Sequence, residues 1–136
     1  PRLINQSIQQ KPLTIYGDGH QTRCFCDVDD VVNAIIALSK SNKAIGEVVN
    51  IGSNEEISIL NLAKKILQIV KKNKIEILSG NQIKFIPYDE AYEVGFEDML
   101  RRVPDISKIK GLIGWEPKIS LDQTLSRIIS SRLTNE

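Results

Sequence analysis

Residues 11–30, KPLTIYGDGHQTRCFCDVDD, constrain the fold of this chain more than any other stretch. Leu13, Ile15 and the ring of Tyr16 read as a short apolar strand led by Pro12. Gly17-Asp18-Gly19 then demands a tight reversal, because Gly tolerates positive φ and Asp bonds its own backbone. Arg23 stands at the mouth of a second strand over 24–28, and Asp29 or Asp30 opens a helix as its cap. A flat aromatic edge, a glycine turn and a guanidinium at strand mouths suit a planar base followed by a phosphate.

The same alternation of short strands and helices continues along the chain, and the fold class read from it is α/β. Residues 2–10 read as the end of a helix. Val31, Ala34, Ile35 and Leu38 repeat at helical spacing over 30–40, and 48–51 reads as a strand. The clearest helix is 58–72, with Ile59, Leu62, Ile66, Ile69 and Val70 on one face and Ser58 as cap. Lys64, Lys65, Lys71 and Lys72 lie mostly outside that face, with no interleaved aromatic residues, so they read as a solvated surface. Residues 83–86 read as a strand, 88–100 as a loop over a site, 107–113 as a helix ended by Gly114, and 121–133 as a helix capped by Ser120.

Composition excludes several classes. With 136 residues the chain is long enough for one compact unit over 1–136. A net charge of +1 supplies no basic field for nucleic acid, and no apolar run reaches membrane-spanning length. Cys24 and Cys26 alternate on one strand, a poor disulfide geometry, and His20 is the only histidine to join them at a metal. They read as small buried residues in a reducing cytoplasm. The first residues, Pro-Arg-Leu, lack an initiator Met and fall inside a helical pattern, which reads as a piece of a longer protein.

Three segments carry a family resemblance. Residues 12–30 resemble the P-L-x-x-Y-G-D-G-x-Q-x-R-x-F-x-x-V-x-D run of the extended short-chain dehydrogenase/reductases, the NAD-dependent nucleotide-sugar epimerases and dehydratases. Residues 95–117, GFEDMLRRVPDISKIKGLIGWEP, resemble their R-R-x-P-D-x-S-K-x-x-x-x-L-G-W-x-P segment, and 48–52 resembles their V-x-N-I-G strand. The resemblance implies the C-terminal substrate-binding portion of such an enzyme, with its Rossmann N-terminal part missing. It implies a UDP- or dTDP-sugar substrate oxidised transiently at C4, a parent homodimer, and NAD held outside this chain. Two observations on the residues agree with that placement. No Gly-x-Gly-x-x-Gly turn is present, and no tyrosine is followed four residues later by lysine, so catalytic and cofactor-binding residues are expected to be absent here. The alternative is a non-catalytic nucleotide-sugar-binding module or scaffold.

The candidate substrate-binding residues are Pro12, Ile15, Tyr16, Arg23, Asn50, Arg101 and Arg102. Arg23 offers a planar fork to a phosphate, or a salt bridge to Asp27 or Asp29. In the family an arginine at this place is similar to a diphosphate ligand, as is one of the Arg101/Arg102 pair. Asn50 either satisfies local backbone or reaches a diphosphate oxygen. Pro12, Ile15 and Tyr16 form the expected base-recognition strand, with backbone groups on the pyrimidine edge. Asp27 faces either the sugar or solvent; Tyr88, Tyr92 and Phe96 form a lid; Trp115 is a structural anchor. Loss of the partner portion exposes apolar surface on 31–38 and 48–51, which favours self-association.

Overall fold

The computed structural model describes residues 1–73, 83–91 and 98–134. In chain order these form α1 (Arg2–Ile8), β1 (Leu13–Tyr16), β2 (Thr22–Cys24), α2 (Val28–Ser39), β3 (Glu56–Ser58), α3 (Ile59–Lys72), β4 (Ile83–Ile86), α4 (Tyr88–Ala91), α5 (Ser107–Ile113) and α6 (Leu121–Leu133). Where one unit over 1–136 was expected, the chain divides into two: residues 1–22, 57–101 and 125–136 form the first, and 23–56 and 102–124 the second.

In the first unit, β1 lies parallel to β4, with Leu13 opposite Ile83 and Tyr16 opposite Ile86. A parallel pair cannot close through a tight turn, and α3 supplies the helix of the connection. Strand alternation puts Leu13 and Ile15 inward, both essentially fully buried, while Thr14 and Tyr16 are half-buried. α1 packs on α3 and β1, and contributes Ile4. α3 starts at its expected cap, the Ser58 hydroxyl accepting from the Asn61 N–H at 3.2 Å. It buries Leu62, Ala63, Ile66, Leu67, Ile69 and Val70, and Leu125 and Ile129 of α6 are buried in the same unit. Truncating Ile66 to Ala would cost about 2–5 kcal/mol, the usual range for such a core deletion.

The second unit is built around Ala34, Ile106, Ile109 and Trp115, with Cys26, Leu38, Val49, Ile51 and Ile113 packed against them. Two carboxylates organise it. Asp27 caps α2, accepting from the Asp29 N–H at 2.9 Å and from the Thr124 hydroxyl at 2.7 Å. Asp30, almost fully buried, accepts through Oδ2 from the N–H groups of Lys118 and Ile119 at 3.0 and 2.9 Å. Its carbonyl accepts the indole N–H of Trp115 at 3.2 Å. Residues 120–123 form a reciprocal capping box at the start of α6, the Ser120 N–H donating to Gln123 Oε1 and the Gln123 N–H to Ser120 Oγ.

The local reading needs three corrections. The strand expected over 24–28 stops at Cys24, because Asp27 is the helix cap and Val28 lies inside α2; Asp29 and Asp30 belong to its first turn. Residues 48–51 join no ladder among the described residues. Their alternation is real, with Val48 84% exposed and Val49 and Ile51 against the core, but inward packing, not strand pairing, accounts for it. Within 88–100, Tyr88–Ala91 forms a helical turn, and residues 92–97, including Tyr92 and Phe96, lie outside the described residues. The α/β class stands; among the described residues the strands pair as β1–β4 and β2–β3.

Candidate functional site

The glycine turn after β1 folds as its composition demands. Gly17 and Gly19 have φ of +69° and +77°, and Asp18 Oδ1 accepts the His20 N–H at 2.8 Å. Gly17 donates its N–H to the Ile86 carbonyl at 2.8 Å, which continues the β1–β4 pairing into the turn. A Cβ on Gly17 would meet the Tyr88 ring at 2.3 Å, and one on Gly19 would meet Ile15 and Leu60 at 3.1 Å. The Gly19 carbonyl accepts the Leu60 N–H at 3.0 Å and the Gln21 carbonyl the Ile59 N–H at 3.1 Å, tying the turn to the start of α3.

Four of the candidate residues belong to this unit. Pro12 is exposed ahead of β1. Ile15 is 0% exposed and paired with Phe85, so its side chain is core and only its neighbours on the strand can meet a ligand. Tyr16 is half-buried, with the Arg2 guanidinium carbon 4.1 Å from its ring centroid. Arg101 is exposed and lies in a parallel bridge with Thr22, whose N–H donates to the Leu100 carbonyl at 2.8 Å. Tyr88 packs on Gly17 and donates its hydroxyl to Asp98 Oδ2 at 3.1 Å.

The other three belong to the second unit. Arg23 is half-buried within β2, and Arg102 is exposed. Asn50 stands in the 48–51 segment, exposed, and its amide donates to the Asp105 carbonyl at 3.1 Å; this is the local-backbone alternative for that residue. A bond from the Ser107 hydroxyl, with help from its backbone N–H, holds the Asp105 carboxyl below the usual carboxylate range. Asp27 faces neither sugar nor solvent, since it is buried as the α2 cap. Neither cysteine forms a disulfide. Burial, followed by the charges of Asp30 and Asp27, pushes the Cys26 thiol up.

Reading the residues singly missed Arg2, Gln6 and Gln21, whose side chains bond the backbone of β1. Gln6 Oε1 accepts the Thr14 N–H at 3.1 Å, Arg2 donates to the Thr14 carbonyl at 3.0 Å, and Gln21 Nε2 donates to the Tyr16 carbonyl at 2.9 Å. The available signal in the sequence was two amides, Gln6 and Gln21, flanking the strand. Among the described residues, no group of three or more His, Cys, Asp or Glu could hold a metal, and no helix is long and apolar enough to cross a membrane. The glycine turn does not fit a dinucleotide. It joins two strands, and the N–H groups of Gly17 and His20 are spent on Ile86 and Asp18, not aimed outward at an anion.

Comparison with known proteins places the chain. The family model for GDP-mannose 4,6 dehydratase matches residues 1–128. A UDP-N-acetyl-alpha-D-glucosaminuronate decarboxylase of Bacillus cytotoxicus is 39% identical over 129 residues, 95% of this chain and 38% of that relative. UDP-glucuronic acid decarboxylase 1 of Xenopus tropicalis is 41% identical over 93% of this chain and 27% of its own length. Among solved structures, UDP-glucuronic acid 4-epimerase of Bacillus cereus, in complex with UDP-glucuronic acid and NAD, matches 99% of this chain and 39% of its own. Its TM-score is 0.77 and its identity 32%. The chain therefore spans well under half the length of these relatives. The same matches correct the placement drawn from the resemblance. The family match begins at residue 1 and runs to residue 128, so the expectation of a C-terminal substrate-binding portion with a missing Rossmann part is withdrawn, and the chain is described by the α/β segment it matches. By that match and by its relatives, the chain belongs to the GDP-mannose 4,6 dehydratase family of NAD-dependent nucleotide-sugar epimerases, dehydratases and decarboxylases.

Proposed function

We propose that this chain supplies nucleotide-sugar-binding residues to an enzyme that uses NAD to act on a UDP- or dTDP-sugar, by transient oxidation at the sugar C4. The observation that carries the reading is the match to a decarboxylase of a UDP-sugar acid over 95% of the chain, joined to the folding of residues 11–24 as strand, glycine turn and strand. In this reading Pro12 and Tyr16 meet the base, while Ile15, buried and facing β4, holds the strand between them. Arg23, Arg101 and Arg102 are each candidates for a phosphate oxygen, and Asn50 keeps its backbone partner Asp105. Guanidinium groups suit that role because their donors match phosphate oxygens in pairs. Binding energy from the nucleotide, remote from the reacting carbon, would then position the sugar. No step of the oxidation is assigned to a residue of this chain.

The partner surface belongs to the same reading. Val28, Val32, Ile35 and Ile36 recur at helical spacing on α2 and are each 46% exposed or more. A stripe of that kind on one helix favours burial against further protein, and in the isolated chain it favours self-association. The test of the function is calorimetric titration of the chain with UDP, dTDP, GDP and NAD. Binding of the pyrimidine diphosphates that Arg23→Ala weakens by about tenfold or more, the loss of one charge-assisted contact, supports the reading. Equal affinity of the wild type and Arg23→Ala for every nucleotide would sink it.

A further inference from the structure

We propose that Arg2 is a further substrate-binding residue, its guanidinium, seated on the ring of Tyr16, donating to a carbonyl oxygen of a pyrimidine base. The inference rests on the nucleotide reading above and adds to it a base contact from α1.

Two contacts hold Arg2 in place. Its guanidinium carbon lies 4.1 Å from the Tyr16 ring centroid, and Nη2 donates to the Thr14 carbonyl at 3.0 Å. Both contacts are on β1, the candidate base-recognition strand. A guanidinium fixed in this way loses less freedom when a ligand arrives than one that is solvated on all sides. The residue nonetheless stays exposed. Among the described residues it makes no ion pair and no further hydrogen bond, so the rest of its planar fork is left for another acceptor.

The fold has little structural use for a cation at this position. Arg2 opens α1, where the helix dipole disfavours a positive charge, and no acidic residue stands in the first turn to offset it. The tie between α1 and β1 is already made by Gln6, whose Oε1 accepts the Thr14 N–H at 3.1 Å and whose Nε2 donates to the Thr14 hydroxyl at 2.9 Å. Ile4 anchors the helix in the core, and Asn5 accepts from Arg132 at 2.8 Å. A residue that breaks the local charge rule while its neighbours hold the helix points to a ligand. The seat of the guanidinium selects the ligand. A base that meets Tyr16 also meets the fork lying over that ring. Uracil and thymine carry carbonyl oxygens at C2 and C4 and cytosine one at C2, so every pyrimidine offers that fork an acceptor.

The test measures affinities of the chain for UDP and inorganic pyrophosphate in wild type, Arg2→Leu and Arg2→Ala. The wild type is expected to bind UDP more tightly than pyrophosphate. Both variants are expected to weaken UDP by about tenfold or more, the loss of one hydrogen bond to a charged donor, while pyrophosphate affinity stays the same. General destabilisation does not produce that pattern, and Arg2→Leu keeps an apolar cover for the Tyr16 ring while removing the donors. Should a variant fail to fold, the Nε–H resonance of Arg2 in the wild type decides: it is expected to shift with UDP and not with pyrophosphate. Folded variants that keep the wild-type affinity for UDP, variants that lose UDP and pyrophosphate alike, or an Arg2 resonance unmoved by saturating UDP would overturn the role of Arg2 while leaving the nucleotide reading intact. A wild type that binds UDP no more tightly than pyrophosphate, or not at all, would overturn the base-binding reading of β1, and this inference with it.

Discussion

Replacing Asp30 should destabilise the second unit's core through one side chain. Its buried carboxylate accepts two backbone N–H groups through a single oxygen, at 3.0 and 2.9 Å, and its backbone carbonyl holds the indole of Trp115. Hydrogen bonds to a charged group contribute roughly 1.5–3 kcal/mol each, so Asp30→Ala is expected to cost about 3–6 kcal/mol. Against a typical domain stability of about 5–15 kcal/mol, that is a large share. Asp30→Asn keeps a carbonyl oxygen that can turn toward both N–H groups but loses the charge. Neutral bonds are worth about 0.5–1.5 kcal/mol each, so the loss is expected to be near half as large. Urea unfolding followed by fluorescence reads this directly, because the chain has one tryptophan and it sits on Asp30. An Asp30→Ala variant within about 1 kcal/mol of wild type, a typical surface-mutation effect, would refute the account. So would an Asp30→Asn variant as unstable as the alanine.

Three further outcomes follow from the same structure. Burial and the neighbouring Asp30 and Asp27 charges raise the Cys26 thiol above its ordinary value of 9.0, so the folded state prefers the neutral thiol. Its contribution to stability is full below the unfolded value and is lost as pH rises through the raised one; a Cys26→Ala variant should show a shallower stability loss above pH 9.0, and equal slopes would count against it. Gly17→Ala should lower the melting temperature by several degrees, since a left-handed φ costs about 1 kcal/mol or more and the new Cβ would meet the Tyr88 ring. Ile35→Glu on the exposed side of α2 should abolish concentration-dependent association in analytical ultracentrifugation with little change in stability; an association constant left unchanged would place the contact elsewhere.

The helices α3 and α6 and the turn at residues 17–19 were legible in the sequence because their causes are local. A helical repeat of Leu62, Ile66, Ile69 and Val70, a serine cap and a pair of glycines each act within a few residues. The 48–51 segment shows the limit of such reading. Its alternating side chains read as a strand, but a strand exists only where another chain segment offers its N–H and carbonyl groups, and none does among the described residues. Asp27 and Asp30 tell the same story: short-range spacing marked an acidic helix start, while the choice of cap rests on Thr124, and the role of Asp30 on Lys118, Ile119 and Trp115.

The candidate site divides along the same line. The sequence by itself determined the residue types that suit a nucleotide, the aromatic Tyr16, the arginines and the glycine turn, because chemistry and turn geometry are written in single residues and short spacings. Tertiary structure decided how they are used. It buried Ile15, gave Asn50 a backbone partner in Asp105, and brought Gln6 and Gln21 to the backbone of β1. Those outcomes depend on which segments meet in space, and hydrogen-bond partners far apart in the chain leave no periodic signal along it.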